Sequence, residues 1–156
     1  MTDAGFEDGA DRPLALIVQE IEDMPIVSAL LQDAVFPLRE LTFVRPRRRF
    51  AILLSRFRWE DRIRAEGQGR SYERVQSLLV IHDVLSVRST GFDPSVKEAV
   101  QSLLALTFAP STDCTGVLTL TLSGGGAIAL DVEALDATLR DVTRPHLAKS
   151  VPDHGL

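Results

Sequence analysis

The chain has a single cysteine, Cys114, so it can form no intrachain disulfide and a reducing compartment suits it. It has no asparagine, and only two lysines against 15 arginines. Such a skew reads as a genome-wide bias, which warns against taking any one Arg as selected over Lys for bidentate recognition. Long hydrophobic runs are missing. The longest are of the kind LLVI, Leu78–Ile81, far short of the roughly 20 apolar residues that span a membrane as a helix. The opening MTDAGFEDGADR is acidic and lacks an apolar stretch, so it does not read as a secretory signal, and a cytoplasmic protein without a membrane partner is expected. The three histidines, His82, His146 and His154, have neither each other nor Cys114 at metal-ligand spacing. A Gly-x-Ser-x-Gly nucleophile elbow is absent too. No catalytic residue, metal or cofactor is therefore expected, and Cys114 reads as a free loop thiol because no base or orienting group is evident for it.

What is present is a globular composition: 156 residues, 45% hydrophobic and 25% charged. Residues 1–12 read as a disordered acidic tail, 13–143 as a single domain, and 144–156 as a flexible tail. LALIV, Leu14–Val18, reads as a strand. Asp23 as cap and Pro25 in the first turn then open an amphipathic helix from Met24 to about Phe36. From there the period changes to two. Strands are expected at Leu41–Val44, Phe50–Trp59, Tyr72–Ile81, Val84–Ser89, Gln101–Phe108, Val117–Leu122 and Ala127–Val132, with a polar loop at Glu60–Ser71 and a bend at His82–Asp83. In Phe50–Trp59 the parity of the large residues slips, and a bulge near Ser55 would place Phe50, Ile52, Leu54, Phe57 and Trp59 on one face and turn Arg56 and Arg58 outward. Val132, Leu135, Leu139 and Val142 fit a closing helix, which Asp131 would cap. The fold class is α+β: a curved antiparallel meander sheet or partial barrel of about seven strands, with one helix in the N-terminal half and one at the C-terminus.

The stretch SGGGAIALDVEAL, Ser123–Leu135, places three glycines beside an apolar run. No Lys or Ser/Thr follows Gly126 and no helix opens there, so neither a P-loop nor a dinucleotide fingerprint is present. A hairpin turn, where Gly supplies positive φ, is expected instead. Charge is unevenly placed: residues 1–44 carry a net −7, 45–74 a net +6 and 75–156 a net −4. All ten basic residues of the middle segment are Arg. With the bulge in place, Arg47, Arg48, Arg49, Arg56 and Arg58 would share an outer face and form an anion-binding patch for RNA, another polyanion or an acidic protein. The other reading is a solvated face balanced by nearby acids.

Several segments resemble one bacterial family: LQDAVFPLRELTF, RRRFAILLSRFRWE, VLSVRSTGFD, LLALTFAP and GGGAIALDVE, in this order. Together they are similar to domain of unknown function 2948, over most of Leu14–Val142. The resemblance implies one compact domain; it brings no activity and no functional residue with it. The first functional reading is a non-enzymatic cytoplasmic binding module, open to self-association through a sheet edge. The alternatives are an enzyme whose site is assembled near His82 and Asp83, and an anion or RNA binder using the Arg45–Arg74 segment.

Overall fold

Alternation of period two runs through most of the chain, and in the computed structural model it becomes sheet. The structure describes residues 13–61, 73–142 and 146–147. The acidic tail at 1–12, most of the polar loop after Glu60, and the C-terminal tail apart from 146–147 lie outside the described residues. Ten strands of three or more residues form: β1 (Ala15–Val18), β2 (Val35–Pro37), β3 (Leu41–Val44), β4 (Arg49–Phe57), β5 (Glu73–Ile81), β6 (Val84–Thr90), β7 (Val100–Pro110), β8 (Gly116–Leu122), β9 (Ala127–Val132) and β10 (Ala137–Asp141). A two-residue β11 (His146–Leu147), in the segment expected to be a tail, pairs with the start of β5. One α-helix, α1 (Met24–Leu31), follows a 3-10 turn at Ile21–Asp23.

Every pairing is antiparallel, in the order β1-β10-β5-β4-β2-β7-β8-β9-β6, with β3 also on β4. Two stretches are meanders, β3-β4-β5 and β7-β8-β9. The arrangement becomes simple when β5–β6 and β9–β10 are taken as one two-stranded ribbon. β5 pairs with β10 and β6 with β9, and both strands of the ribbon bend at the same level. At the bend His82 N–H donates to Asp136 O at 2.8 Å and Glu133 N–H to Asp83 O at 2.9 Å, with Asp83 in the left-handed region at φ 59°. The bent ribbon joins two half-sheets along one side; β2, paired to both β4 and β7, joins them along the other. The sheet is folded over so that both halves and α1 contribute to one core, from Val18, Val27 and Leu31 through Ile52 and Leu79 to Leu106, Leu120 and Leu130. α1 turns Met24, Val27 and Leu31 inward.

Three expectations are corrected. First, the helix stops at Leu31, because Asp33 takes φ 65° and Ala34–Pro37 joins β7, with Leu103 N–H donating to Ala34 O at 2.8 Å. Asp23 holds the N-cap position of α1 and Pro25 its first turn, as expected, but the Asp23 side chain makes no capping bond to the helix; its Oδ2 accepts from Glu20 N at 3.2 Å in the preceding turn. Second, no C-terminal helix forms. Residues 137–141 are β10, held between β1 and β5. Its inward positions are Ala137, Leu139 and Asp141, and a small and a charged residue there disguise the two-residue period. Asp131, expected to cap that helix, lies in β9 and accepts from Ser86 and Arg88 of β6. Third, the β4–β5 register runs unbroken from Phe50↔Ile81 to Phe57↔Arg74, so there is no bulge near Ser55.

The glycine stretch is the β8–β9 hairpin. Leu122 N–H donates to Gly126 O at 2.8 Å, and Gly125 sits at φ 90°. Gly91, just beyond β6 at φ 80°, lies so close that a Cβ there would be 2.7 Å from Gly126 Cα and 2.8 Å from Gly125 O. A Cβ on Gly124 would meet nothing within 4 Å. Gly91→Ala is therefore expected to destabilise by about 2 kcal/mol or more, through strain and backbone overlap together, while Gly124→Ala stays within about 0.5 kcal/mol of wild type. Urea denaturation of the two variants checks this; equal effects would remove the close-approach argument.

Candidate functional site

With no bulge in β4, its even-numbered side chains all face inward: Phe50, Ile52, Leu54 and then Arg56, which is fully buried. The chain continues with Arg58, only 4% exposed. Two arginines expected on an outer face thus lie inside. A guanidinium can be buried only where carboxylates and hydrogen-bond acceptors meet it. Arg56 donates from Nη1 and Nη2 to Glu60 at 2.9 and 2.8 Å, from Nε and Nη2 to Asp141 at 3.0 to 3.2 Å, from Nε to Ser77 Oγ at 3.1 Å, and from Nη1 to Phe57 O at 3.0 Å. Asp141 also accepts from Ser77 Oγ at 2.7 Å and from Leu14 N at 2.8 Å. Burial alone would lower the Arg56 pKa, but Glu60 and then Asp141 outweigh it and the net shift is upward. Arg58 pairs with Glu73 of β5.

The remaining members of the expected patch are on the 3-10 turn at Arg45–Arg47 and the residues after it. Arg48, at φ 52°, pairs with Glu133 from the ribbon bend. Arg47 and Arg49 are exposed and make no ion pair among the described residues. Three of the five arginines are thereby matched to acids of the chain itself, and the five do not form one face. His82 and Asp83 occupy the ribbon bend, and both are half-buried. Among the described residues no group of three or more His, Cys, Asp or Glu side chains is placed to hold a metal. Cys114 is exposed in the β7–β8 turn at φ 68°.

The opposite face of the same strands has a different character. The odd-numbered residues of β4 and the even-numbered residues of β5 point away from the core. Across the pair, Ala51 faces Val80, Leu53 faces Leu78, Ser55 faces Gln76 and Phe57 faces Arg74. Toward β2 the apolar surface reaches Val100, 65% exposed; on the other side Thr138 and the exposed Arg140 of β10 bound it, with Ile17, 64% exposed, beyond them on β1. None of these apolar side chains belongs to the core. Where β2 meets β4 the face dips into a cleft of about 260 Å³, lined by Val35, Pro37, Leu53, Ser55, Gln76 and Val100, with Arg39 and Glu40 at its rim. At one end of the face the Phe57 and Trp59 rings lie 5.2 Å apart, and Trp59 Nε1–H donates to Gln32 O at 3.0 Å. The Arg74 guanidinium lies over the Phe57 ring, 4.2 Å from its centroid. Sequence reasoning missed Arg74 because its parity in β5 matters, not its place in a basic run. A second cleft, of about 290 Å³, lies between α1 and β7 around Ile21, Met24, Pro25 and Leu106.

Two expected outcomes follow from the inner cluster and from β9. Arg56→Met leaves Asp141 buried without its cation and should cost about 3–5 kcal/mol. Asp141→Asn should then cost markedly less in the Arg56→Met background than in wild type, as a urea double-mutant cycle would read; additive effects would mean that the pair is not coupled. In β9, hydrogen bonds from Arg88 and then Ser86 hold the Asp131 carboxyl below the usual aspartate range. Its folded value is below its unfolded value, so its contribution is complete at neutral pH and is lost as pH falls below about 4. Asp131→Asn should therefore lose less stability than wild type on acidification, measured as urea midpoint against pH.

The sequence matches no curated protein and no solved structure. It does match the family described as "Protein of unknown function (DUF2948)" over residues 14–154. That span takes in every strand of the sheet, and the chain belongs to the DUF2948 family.

Proposed function

We propose that the chain is a non-enzymatic, cytoplasmic binding module that docks a partner protein on the outer face of β4 and β5. The observation that carries this reading is the apolar face itself: Ala51, Leu53, Leu78 and Val80 lie outside the core, and among the described residues no helix or second sheet covers them. An apolar surface of this kind, rimmed by polar groups, is a mark of interaction sites. The cleft volume of about 260 Å³ favours a protein partner over a small molecule. Small-molecule sites run from about 300 to 1,000 Å³, whereas a shallow slot below that range takes a side chain from a partner.

The alternatives find less support. His82 and Asp83 line neither of the clefts described above, and among the described residues no group of three or more His, Cys, Asp or Glu is placed to hold a metal there. Polyanion binding would draw on Arg47 and Arg49 alone of the expected patch, in a chain of net charge −5. Self-association through the free edges of β1 or β6 would leave the apolar face uncovered.

The test is affinity purification from the source cells with wild type and with Leu53→Glu/Leu78→Lys, an outward-facing cross-strand pair in which opposite charges avoid repulsion. At least one protein should be held by wild type and lost at least about 10-fold from the variant. The purified partner should bind wild type in calorimetry with a negative heat-capacity change, as apolar burial requires. No difference between the two eluates, with circular dichroism showing both folded, would overturn the proposal.

A further inference from the structure

The described arginines fall into two groups. Arg39, Arg48, Arg56, Arg58 and Arg88 each have a carboxylate within salt-bridge distance. Arg45, Arg47, Arg49, Arg74 and Arg140 have none among the described residues, and of these Arg74 alone is half-buried. Its pKa is pushed down because burial strips its guanidinium of water, and Asp33, too far away for an ion pair, offsets this only in part. Arg74 is nevertheless firmly held. Its Nε donates to Ser55 Oγ at 2.9 Å, its Nη2 donates to Ser55 O at 2.8 Å, and its plane rests on Phe57. Ser55 thus occupies the Nε–Nη2 edge. The terminal Nη1–Nη2 edge, the fork that grips a carboxylate with two parallel hydrogen bonds, has no partner among the described residues. A desolvated, immobilised cation without a counter-charge is costly to the free protein and preorganised for an anion.

Ser55 is also a wall of the 260 Å³ cleft. One residue therefore touches both the unsatisfied guanidinium and the apolar slot. At the far rim Glu40 lies near Arg39, which pairs with Glu98, so a second acid at that end would be repelled. The geometry points to a partner segment that carries one Asp or Glu next to one bulky apolar residue, the carboxylate clamped by Arg74 and the apolar side chain seated between β2 and β4. This inference rests on the docking reading above and names its recognition element. A protein segment is favoured over a nucleic acid because the two cations of this face without an ion pair among the described residues, Arg74 and Arg140, stand on different strands beside an apolar slot and do not form a run.

The test uses a phage-displayed random 12-residue peptide library, selected on wild type and on Arg74→Gln. Wild type should enrich peptides with an acid within two residues of Leu, Ile, Phe or Trp; Arg74→Gln should keep the apolar preference and lose the acidic one. A synthetic peptide from the wild-type pool should bind Arg74→Gln about 10-fold or more weaker, and its Asp→Asn or Glu→Gln form should lose as much against wild type. Together the two changes should cost little more than either alone. Arg74→Lys should recover part of the affinity. The peptide substitution needs no protein variant, so the inference stays testable if Arg74→Gln fails to fold. Enrichment of apolar peptides without an acid would overturn the role of Arg74 and leave the docking reading standing. Enrichment of nothing, or of peptides that bind away from β4 and β5 by hydrogen exchange, would overturn both. Concentration-dependent dimerisation abolished by Arg74→Gln would overturn it in favour of a second copy as the occupant.

Discussion

The buried pair of Arg56 and Asp141 is the constraint on which the rest of the half-sheet depends. A fully buried guanidinium forces an acid to be brought to it, and the acid comes from β10, at the other end of the sequence. Asp141 in turn fixes β1, through Leu14 N–H on its carboxylate and its own N–H on Leu14 O at 2.9 Å. Three strands that are far apart in the chain are thereby set in register around one charge pair. A buried ion pair of this kind contributes little net stability compared with apolar residues of the same shape, but removing one partner strands the other. Its effect here is on arrangement. It fixes which face of β4 is inside, and so which side chains are left to form the outer face.

That division explains the contrast between the two surfaces of β4. The inner side carries Arg56 beyond Leu54; the outer side carries Leu53, Ser55 and Phe57. Polar residues inside and apolar residues outside reverse the usual rule over a few positions. A large exposed apolar face marks an interaction site, and here the face runs from Ala51 and Leu53 across Leu78 and Val80, reaches Val100 past β2 and is bounded on β10 by Thr138 and Arg140. The same inversion places Arg74 opposite Phe57, on the outer face, where no carboxylate among the described residues forms an ion pair with it.

Much of the strand pattern was legible in the sequence. β1, β3, β4, β5 and β6 to β9 have apolar residues at period two, and the His82–Asp83 bend and glycine hairpin follow from turn chemistry. β2 was hidden because only three residues long and directly behind a helix whose spacing ran on into it. β10 was hidden because Ala137 and Asp141 carry no apolar signal at inward positions, while Leu135, Leu139 and Val142 match a helix equally well. The arginine patch failed for a related reason. Moving Phe57 and Trp59 to the core side by a bulge was the solution that assumed charge must point outward; Glu60 is four residues from Arg56, but no local signal marks Asp141, the buried partner 85 residues away. Arg74 was legible as a basic residue but not as an unpaired one, since pairing is a property of the fold.

The outermost pairing of one half-sheet, Ala15↔Arg140 through Val18↔Ala137, unites the first strand with the last long one. During synthesis from the N-terminus, β1, β4 and β5 emerge early, but β10 separates β1 from β5 and supplies the acid for Arg56. Until residue 141 has left the ribosome, Arg56 has Glu60 but not Asp141 as its counter-charge, and the first strand has nothing to pair with. Such long-range closure slows folding. It makes the half-sheet a late event, while the local hairpins of β7, β8 and β9 can form as they appear.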